Sequence, residues 1–208
     1  HRGKVYGMAD IAKMEKFHRY LDRDEDGIPY RTFPGTHPKG AYFTRGSGHT
    51  QLGTYTEDST EYQIVLDRLL RKFATAKRLV PAPVVQHDPR IEVGLVAFGS
   101  SDGAVREALD ILRRQGIPLN YMRIRSFPFG EDVERFLAAH RLVFVVEQNR
   151  DAQMRSLLTL ETHVDKSKLR SVLHYSGLPV SSQFIVTGVM SEVGEVREDR
   201  AVAAGSTP

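Results

Sequence analysis

The stretch VGLVAFGSSDG, residues 93–103, decides the fold that we expect for this chain. Its apolar first half has the length and composition of a buried strand, and it ends at a glycine. Apolar residues then recur at helical spacing, with Val105, Ala108, Leu109 and Leu112 three or four positions apart. We therefore predict a strand, a tight turn and an amphipathic helix whose apolar stripe faces a core.

Further strand and helix patterns follow in alternation. Gly116 closes the first helix, residues 119–124 are predicted as the second strand, and an apolar pattern over residues 133–137 indicates the second helix. Residues 142–146 and 170–175 are predicted as the third and fourth strands. Strands that alternate with helices of this length form a parallel sheet with flanking helices. The predicted fold class is α/β, and any ligand is expected at the carboxyl ends of the strands.

Composition divides the chain into stretches of different character. Residues 1–57 are predicted to be the end of an upstream domain and a connecting segment, and residues 58–89 a helix and a proline-containing linker. Residues 90–192 are predicted to form the α/β domain, and residues 193–208 a frayed tail. Because the chain opens with His1 instead of Met, we expect a fragment or a processed piece of a longer protein.

Helix N-caps are predicted wherever an Asp or Ser precedes a run of helical period. Asp10 is expected to cap a short helix whose apolar stripe is Ile11, Met14, Phe17 and Leu21. Asp58, with Glu61 at capping-box spacing, is expected to cap a helix of about five turns. Asp151 and Ser181 are expected to cap the two later helices.

Composition narrows the classes of function. Lys and Arg number 29 against 26 Asp and Glu, and the charges are interspersed, which indicates a solvated surface and no nucleic-acid partner. The chain has no cysteine, so it cannot itself hold a disulfide, a cysteine-bound metal or an iron–sulfur cluster. No apolar run reaches the roughly 20 residues of a membrane-spanning helix. We expect a cytoplasmic protein with no membrane partner.

The run DRDEDG, residues 22–27, matches the first half of a calcium-binding loop of the D-x-D-x-D-G type. The match fails at the twelfth position, where Phe33 replaces the bidentate glutamate, and Pro29 stiffens the loop. We predict an acidic turn there and no metal site in the chain.

A long irregular segment, residues 27–56, is rich in glycine, proline and aromatic residues. Its centre contains Arg45, Gly46, Ser47 and His49. Glycines let backbone amides approach a ligand, an arginine pairs with carboxylate or phosphate, and a histidine donates or shuttles a proton. The alternative is a packed loop in which Arg45 and His49 satisfy backbone carbonyls, and the sequence leaves both interpretations open.

The motif G-x-S-x-G around Ser101, between a strand and a helix, has the context of a nucleophile elbow. A serine hydrolase would add Asp151 with His163 or His174, whereas Ser101 or Asp102 as an ordinary N-cap explains the same residues more simply. The same helix N-terminus could also hold an anion in a non-catalytic binding module.

Polar residues Glu147, Gln148 and Asn149 follow the third strand at its carboxyl end. They are placed either to face a ligand or partner, or to cap and brace neighbouring loops. Dinucleotide binding is not favoured, because Arg123 and Arg125 end the second strand where an acidic ribose ligand belongs and the glycine spacing is wrong.

Three segments, DGIPYRTFPGT (residues 26–36), RGSGH (45–49) and VVEQN (145–149), occur in this order around the strand–helix region. Together they resemble the C-terminal part of the alpha subunit of 2-oxoacid:ferredoxin oxidoreductases, most closely the 2-oxoglutarate type. The resemblance covers nearly the whole chain up to about residue 193.

This resemblance implies a domain similar to the C-terminal domain of transketolase, preceded by a connecting segment. Complexes of this family oxidatively decarboxylate a 2-oxoacid with coenzyme A, use thiamine diphosphate, Mg²⁺ and iron–sulfur clusters, and reduce ferredoxin. The chain lacks the G-D-G and Asn motif for the magnesium diphosphate and has no cysteine, so it is expected to bind none of these cofactors itself and to be inactive alone. Its expected partners are the upstream domain of the same subunit and a thiamine-binding beta subunit, with ferredoxin and coenzyme A acting through the complex.

The resemblance also implies roles for single residues. Arg45 would pair with the carboxylate of the 2-oxoacid and His49 would support it. Gly46, Ser47 and Arg31 would contribute to the same substrate wall. Ser101, Glu147, Gln148 and Asn149 would lie at an interface or ligand edge.

Overall fold

The computed structural model describes residues 3–43 and 46–204, with side chains described through Val193. The chain divides into two compact units, His1–Val80 and Pro81–Pro208. Within the described ranges, no helix is both long and apolar enough to cross a membrane.

The first unit consists of two helices and a largely irregular connecting segment. Its elements are α1 (Met8–Ala12), a short 3-10 turn (Pro38–Gly40) and α2 (Ser59–Ala76). The Asp58 carboxylate accepts hydrogen bonds of 2.9 Å from the amides of Thr60 and Glu61. The predicted cap of α2 is therefore present.

The short first helix differs from the prediction. Asp10 lies inside α1 and accepts a 2.9 Å hydrogen bond from the amide of Gly7, so it is not the N-cap residue. The helix ends at Ala12, although the apolar pattern predicted a longer one. Phe17 is instead buried in an aromatic cluster, with ring centroids 6.4 Å from Tyr6 and 5.7 Å from Tyr42. Packing between aromatic rings has outweighed the local helical period there.

A lysine near the start of the chain pairs with the carboxylates of the acidic turn. Lys4 Nζ lies 2.6 Å from Asp24 and 2.8 Å from Asp26. Burial alone would lower the pKa of Lys4, but its hydrogen bonds to Asp24 and Asp26 raise that pKa to about 12. Asp22 accepts the amide of Gly27 at 2.8 Å, and the buried Arg68 donates to the Gly27 carbonyl at 2.9 Å.

The second unit is built on a sheet in the order β1-β3-β2-β4-β5. The strands are β1 (Val84–Gln86), β2 (Val93–Phe98), β3 (Asn120–Ile124), β4 (Leu142–Glu147) and β5 (Leu169–Leu173). Strands β2 to β5 are parallel, which confirms the predicted α/β class.

Helices cover both faces of the sheet. They are α3 (Asp102–Arg114), α4 (Glu131–Ala139), α5 (Gln153–Glu161) and α6 (Ser182–Ala204). Alternate residues of the central strands feed two cores, one packed on α3 and α6 and the other on α4 and α5. The predicted stripe of α3 is buried, with Val105, Ala108 and Leu112 at 0% exposure.

The predicted linker contains a strand that the sequence did not reveal. β1 runs antiparallel to β3 at the sheet edge, with Val84 opposite Arg123 and Gln86 opposite Tyr121. Pro81 and Pro83 precede it. Prolines are tolerated next to an edge strand because its outer side carries no ladder hydrogen bonds.

Helix α6 continues to Ala204, past residue 193, where the tail was predicted to begin. Glu, Arg and Ala predominate beyond Val193, and all have high helix propensity. The predicted cap of this helix is present, since the Phe184 amide donates to Ser181 Oγ at 3.2 Å.

Candidate functional site

The loop of the first unit that includes His49 forms a small hairpin. His49 and Tyr55 form an antiparallel bridge, and the Thr50 amide donates to the Thr54 carbonyl at 2.9 Å. Gly46 and Ser47 precede the hairpin and are exposed. Arg45 lies outside the described residues.

The ring of His49 is held on two sides. It stacks on the ring of Tyr20, with centroids 4.0 Å apart and planes inclined by 20°. Its Nδ1 lies 3.1 Å from the carbonyl oxygen of Thr50. A carbonyl only accepts, so Nδ1 carries the proton, and Nε2 of the neutral ring keeps its lone pair.

The two glycines of this loop differ in their surroundings. A Cβ on Gly48 would lie 3.0 Å from the Thr56 carbonyl oxygen and 3.3 Å from the Tyr62 ring. A Cβ on Gly46 would meet nothing within 4 Å among the described atoms. Gly48 therefore permits close packing within the chain, whereas Gly46 leaves its backbone accessible to a ligand.

The backbone of Arg31 pairs with the N-terminal segment of the chain. Its amide donates to the Lys4 carbonyl at 3.1 Å, and its own carbonyl accepts the Tyr6 amide at 3.0 Å. The guanidinium carbon lies 5.4 Å from the centroid of the Phe33 ring.

At the carboxyl edge of the sheet, Gln148 joins two loops. Its Nε2 donates to Ser100 Oγ at 3.2 Å and to Ser101 Oγ at 3.1 Å, and its Oε1 accepts the Val180 amide at 3.4 Å. Ser101 is only 3% exposed. For Gln148, these contacts favour the interpretation that it braces neighbouring loops.

Glu147 is fully buried and caps α5. Its carboxylate accepts hydrogen bonds from the amides of Met154 at 2.6 Å and Arg155 at 3.1 Å, and from Asn149 Nδ2 at 2.9 Å. A carboxylate at a helix N-terminus satisfies free amides and favours the helix dipole.

Asp151 is consequently not the cap of α5, as the sequence had suggested. It forms an ion pair with Arg150 at 2.7 Å, and its amide donates to Asn149 Oδ1 at 3.2 Å. The cap comes instead from Glu147, which lies seven positions before Met154 and so cannot be recognised by ordinary N-cap spacing.

The hydrolase arrangement is not assembled. The Ser101 hydroxyl is bonded to the Gln148 amide, and Asp151 is paired with Arg150. His174 Nε2 lies 3.1 Å from Ser176 Oγ, and its ring packs against Phe184. Nothing in these contacts favours a catalytic triad.

A cleft of about 440 Å³ opens at the same edge. Polar groups of its wall include Ser100, Gln148 and His174, and apolar lining comes from Leu178 and Pro179. Because the Gln148 amide already donates to Ser100 and Ser101, it is not free to donate to a ligand in this cleft.

Sequence reasoning missed an ionic cluster at the start of α3. Asp102 accepts hydrogen bonds from the Tyr121 hydroxyl at 2.8 Å and from Arg106 Nε at 3.0 Å, and Arg123 lies 3.4 Å away. Burial would raise the pKa of Asp102, but the bonds from Arg106 and Tyr121 and the charge of Arg123 hold it below its usual range. The spacing of Asp102 and Arg106, one helical turn, was the available sequence signal.

Candidate metal ligands are not clustered in the parts of the chain that the structure describes. Those parts contain no set of three or more His, Asp or Glu residues placed to hold a metal ion. Because the chain has no cysteine, its residues do not fit an iron–sulfur cluster.

A model of a known protein family matches most of the second unit. Residues 91–178 match the family model described as Pyruvate:ferredoxin oxidoreductase core domain II.

Relatives extend the similarity into the first unit. The chain is 31% identical over 185 residues to 2-oxoacid:ferredoxin oxidoreductase 2, subunit alpha, of Aeropyrum pernix, covering 86% of this chain and 28% of the relative. It is 33% identical over 106 residues to 2-oxoglutarate synthase subunit KorA of Archaeoglobus fulgidus, covering 50% of this chain and 29% of the relative. The chain thus spans less than a third of the length of these relatives.

A solved structure shares the fold. The 2-oxoglutarate:ferredoxin oxidoreductase from Magnetococcus marinus matches with a TM-score of 0.73 and 24% identity, covering 91% of this chain and 32% of that chain. The predicted resemblance to alpha subunits of 2-oxoacid:ferredoxin oxidoreductases is confirmed.

Proposed function

We propose, from its relationship to the alpha subunits of 2-oxoacid:ferredoxin oxidoreductases, that this chain forms part of such a subunit. The complete enzyme would oxidatively decarboxylate a 2-oxoacid to an acyl-coenzyme A and reduce ferredoxin. The substrate that we propose is 2-oxoglutarate. The observation that carries the proposal is the 31% identity to an alpha subunit across 86% of the chain.

A role in assembly is supported by exposed apolar side chains in the first unit. Phe43 is 82% exposed and Leu70 is 69% exposed. Tyr62, Leu66 and Phe73 are also exposed and lie with Leu70 on one side of α2, at intervals of three or four residues. An exposed apolar stripe of this kind is typical of a surface that another polypeptide covers. We assign that covering to the rest of the alpha subunit and to the thiamine-binding beta subunit.

A contribution to the substrate wall is the second part of the proposal. Gly46 and Ser47 are exposed, and the ring of His49, two positions after Ser47, stacks on Tyr20. We propose that Arg45 pairs with the carboxylate of the substrate and that Arg31 belongs to the same substrate wall. Both roles rest on the resemblance alone. Ser101, Glu147, Gln148 and Asn149 are assigned to shaping the edge of the second unit.

Cofactors are assigned to other parts of the enzyme. Because this chain has no cysteine, we assign the iron–sulfur clusters of the proposed enzyme to other polypeptide segments, and we assign thiamine diphosphate and Mg²⁺ to those segments as well. The Magnetococcus structure has 2-oxoglutarate, coenzyme A and succinyl-CoA bound, and we propose the same substrate and acyl acceptor for this enzyme. A cytoplasmic location accords with this chemistry.

The test is isolation of the tagged chain from its source, followed by assay of the recovered material. Co-purification of a thiamine-binding subunit, with 2-oxoglutarate-dependent and coenzyme A-dependent reduction of a viologen dye, is the expected result. Activity with pyruvate but not 2-oxoglutarate would correct the substrate. Recovery of the chain alone, folded and without activity in any fraction, would overturn the proposal.

The role of Arg45 is tested in the assembled enzyme. Arg45→Ala is expected to raise KM for the 2-oxoacid because a carboxylate partner is lost, by about tenfold or more. Arg114→Ala, at an exposed position of α3, is the matched control. An unchanged KM for the Arg45 variant would remove the proposed role.

A further inference from the structure

Tyr20 and His49 come from separate segments of the first unit. Their rings stack with centroids 4.0 Å apart, although 29 positions separate them in sequence. Nearby contacts tie the same segments together: His18 Nδ1 lies 3.4 Å from the Leu52 carbonyl oxygen. A Cβ on Gly53 would lie 3.6 Å from the Tyr20 ring, so the hairpin lies close against that residue.

These contacts fix both the orientation of the His49 ring and the nitrogen that carries its proton. The face of Tyr20 limits rotation of the imidazole plane, and the Thr50 carbonyl fixes the proton on Nδ1. The nitrogen left to accept a hydrogen bond from a donor group is therefore Nε2. Among the described residues, the hydrogen bonding of this ring is made through Nδ1 alone.

From this geometry we propose that Tyr20 is a positioning residue, which orients His49 so that Nε2 can accept a hydrogen bond from a donor group that binds the 2-oxoacid. The inference rests on the proposed place of His49 in the substrate wall and adds a residue and a tautomer to it. Tyr20 contributes through its aromatic face, and its hydroxyl is not required.

The first test uses kinetics of the assembled enzyme. Tyr20→Leu removes the ring and is expected to raise KM for the 2-oxoacid about two- to tenfold, the range that corresponds to loss of one aromatic stacking contact, with kcat unchanged. Tyr20→Phe keeps the ring and is expected to behave as the parent enzyme.

A double-substitution cycle separates positioning from a general structural role. His49→Gln alone should raise KM, and Tyr20→Leu should add nothing to it once His49 is absent. Independent, additive effects would overturn the inference. A parent-like KM for Tyr20→Leu would do so as well.

The second test is independent of catalysis. In the 208-residue chain, the imidazole ¹⁵N shifts of the neutral form of His49 should show the proton on Nδ1 and a lone pair on Nε2. Tyr20→Leu should shift these resonances, whereas Tyr20→Phe should leave them close to the parent values. An Nε2-protonated ring would contradict the assigned tautomer.

The outcomes also separate this inference from the proposed function. If the enzyme assembles and reduces dye but His49→Gln leaves KM unchanged, the positioning role fails and the enzyme assignment stands. If no enzyme assembles, the enzyme assignment and the substrate-binding role of His49 both fail, and the ring geometry is judged by the ¹⁵N shifts.

Discussion

Gly27 and Gly35 adopt nearly the same left-handed backbone conformation, with φ of +83° and +81°, in very different surroundings. A Cβ on Gly27 would lie 2.2 Å from the amide nitrogen of Lys72 in α2, whereas one on Gly35 would meet nothing within 4 Å. Gly27→Ala is therefore expected to destabilise the first unit by about 3 kcal/mol, from backbone strain and overlap together. Hydrogen exchange of the α2 amides measures the loss.

The matched control for this prediction is Gly35→Ala, which carries the backbone strain alone. Its expected cost is about 1 kcal/mol. Equal losses for the two variants would show that the turn moves away from α2 at little cost, contrary to the packing seen here.

His140 gives the second unit a predictable dependence on pH. Its ring is 1% exposed, its Nδ1 donates to the Phe136 carbonyl at 2.6 Å, and its Nε2 accepts from Asn120 at 2.8 Å. Burial lowers its pKa, and the charges of His87 and Lys168 act in the same direction. The folded state thus keeps His140 neutral.

The sign of the effect follows from this depressed pKa. The contribution of neutral His140 to the free energy of unfolding is fully present above the unfolded pKa of about 6.5. It is lost as pH falls below that value, because only the unfolded chain takes up the proton. We expect the free energy of unfolding to fall from pH 7 to pH 5, by at most about 1.4 kcal/mol per pH unit from this residue. Urea titrations should show a flatter profile for His140→Gln but not for His163→Gln, which changes an exposed histidine.

At the scale of the elements, α5 depends on a cap supplied by another element. Glu147 ends β4 and accepts three hydrogen bonds, two of them from the first amides of α5. Glu147→Gln replaces one acceptor oxygen by a donor that faces N–H groups, so we expect a loss of about 3 kcal/mol in the free energy of unfolding. Denaturant unfolding of the variant measures it.

Glu107→Gln provides the comparison, because it makes the same chemical change at an exposed position of α3. Its effect should stay within about 0.5 kcal/mol. If Glu147→Gln were equally mild, the buried carboxylate would not be the cap that its contacts indicate.

The elements with a strong local period were predictable from sequence. β2 and α3 follow directly from apolar spacing, and the Asp58 cap of α2 follows from its capping-box pattern. β1 was missed because it has only three residues after two prolines and is stabilised by β3, far along the chain. The α5 cap was misassigned to Asp151 because the acceptor that replaces it belongs to the preceding strand.

At the scale of the whole molecule, the candidate site was only partly accessible to sequence reasoning. The residue types around His49 indicated a ligand loop, but a motif does not reveal which ring will stack on it. Tyr20 makes that contact from a segment for which the sequence predicted a helix, whereas α1 ends at Ala12. Long-range stacking depends on how segments pack and leaves no periodic signal in the chain.

The exposed side of α2 leads to a prediction about assembly. Leu70 is 69% exposed on α2, and Leu160 is 81% exposed on α5 of the second unit. Leu70→Ser should leave the unfolding of the chain nearly unchanged, since neither state buries this side chain fully, but should weaken assembly of the oxidoreductase by about tenfold or more if a partner covers it. Sedimentation of the reconstituted complex at graded concentrations measures the loss. Leu160→Ser, which changes a leucine that is even more exposed, should assemble like the parent. If Leu160→Ser weakened assembly more than Leu70→Ser, the covered surface would lie on the second unit instead of α2.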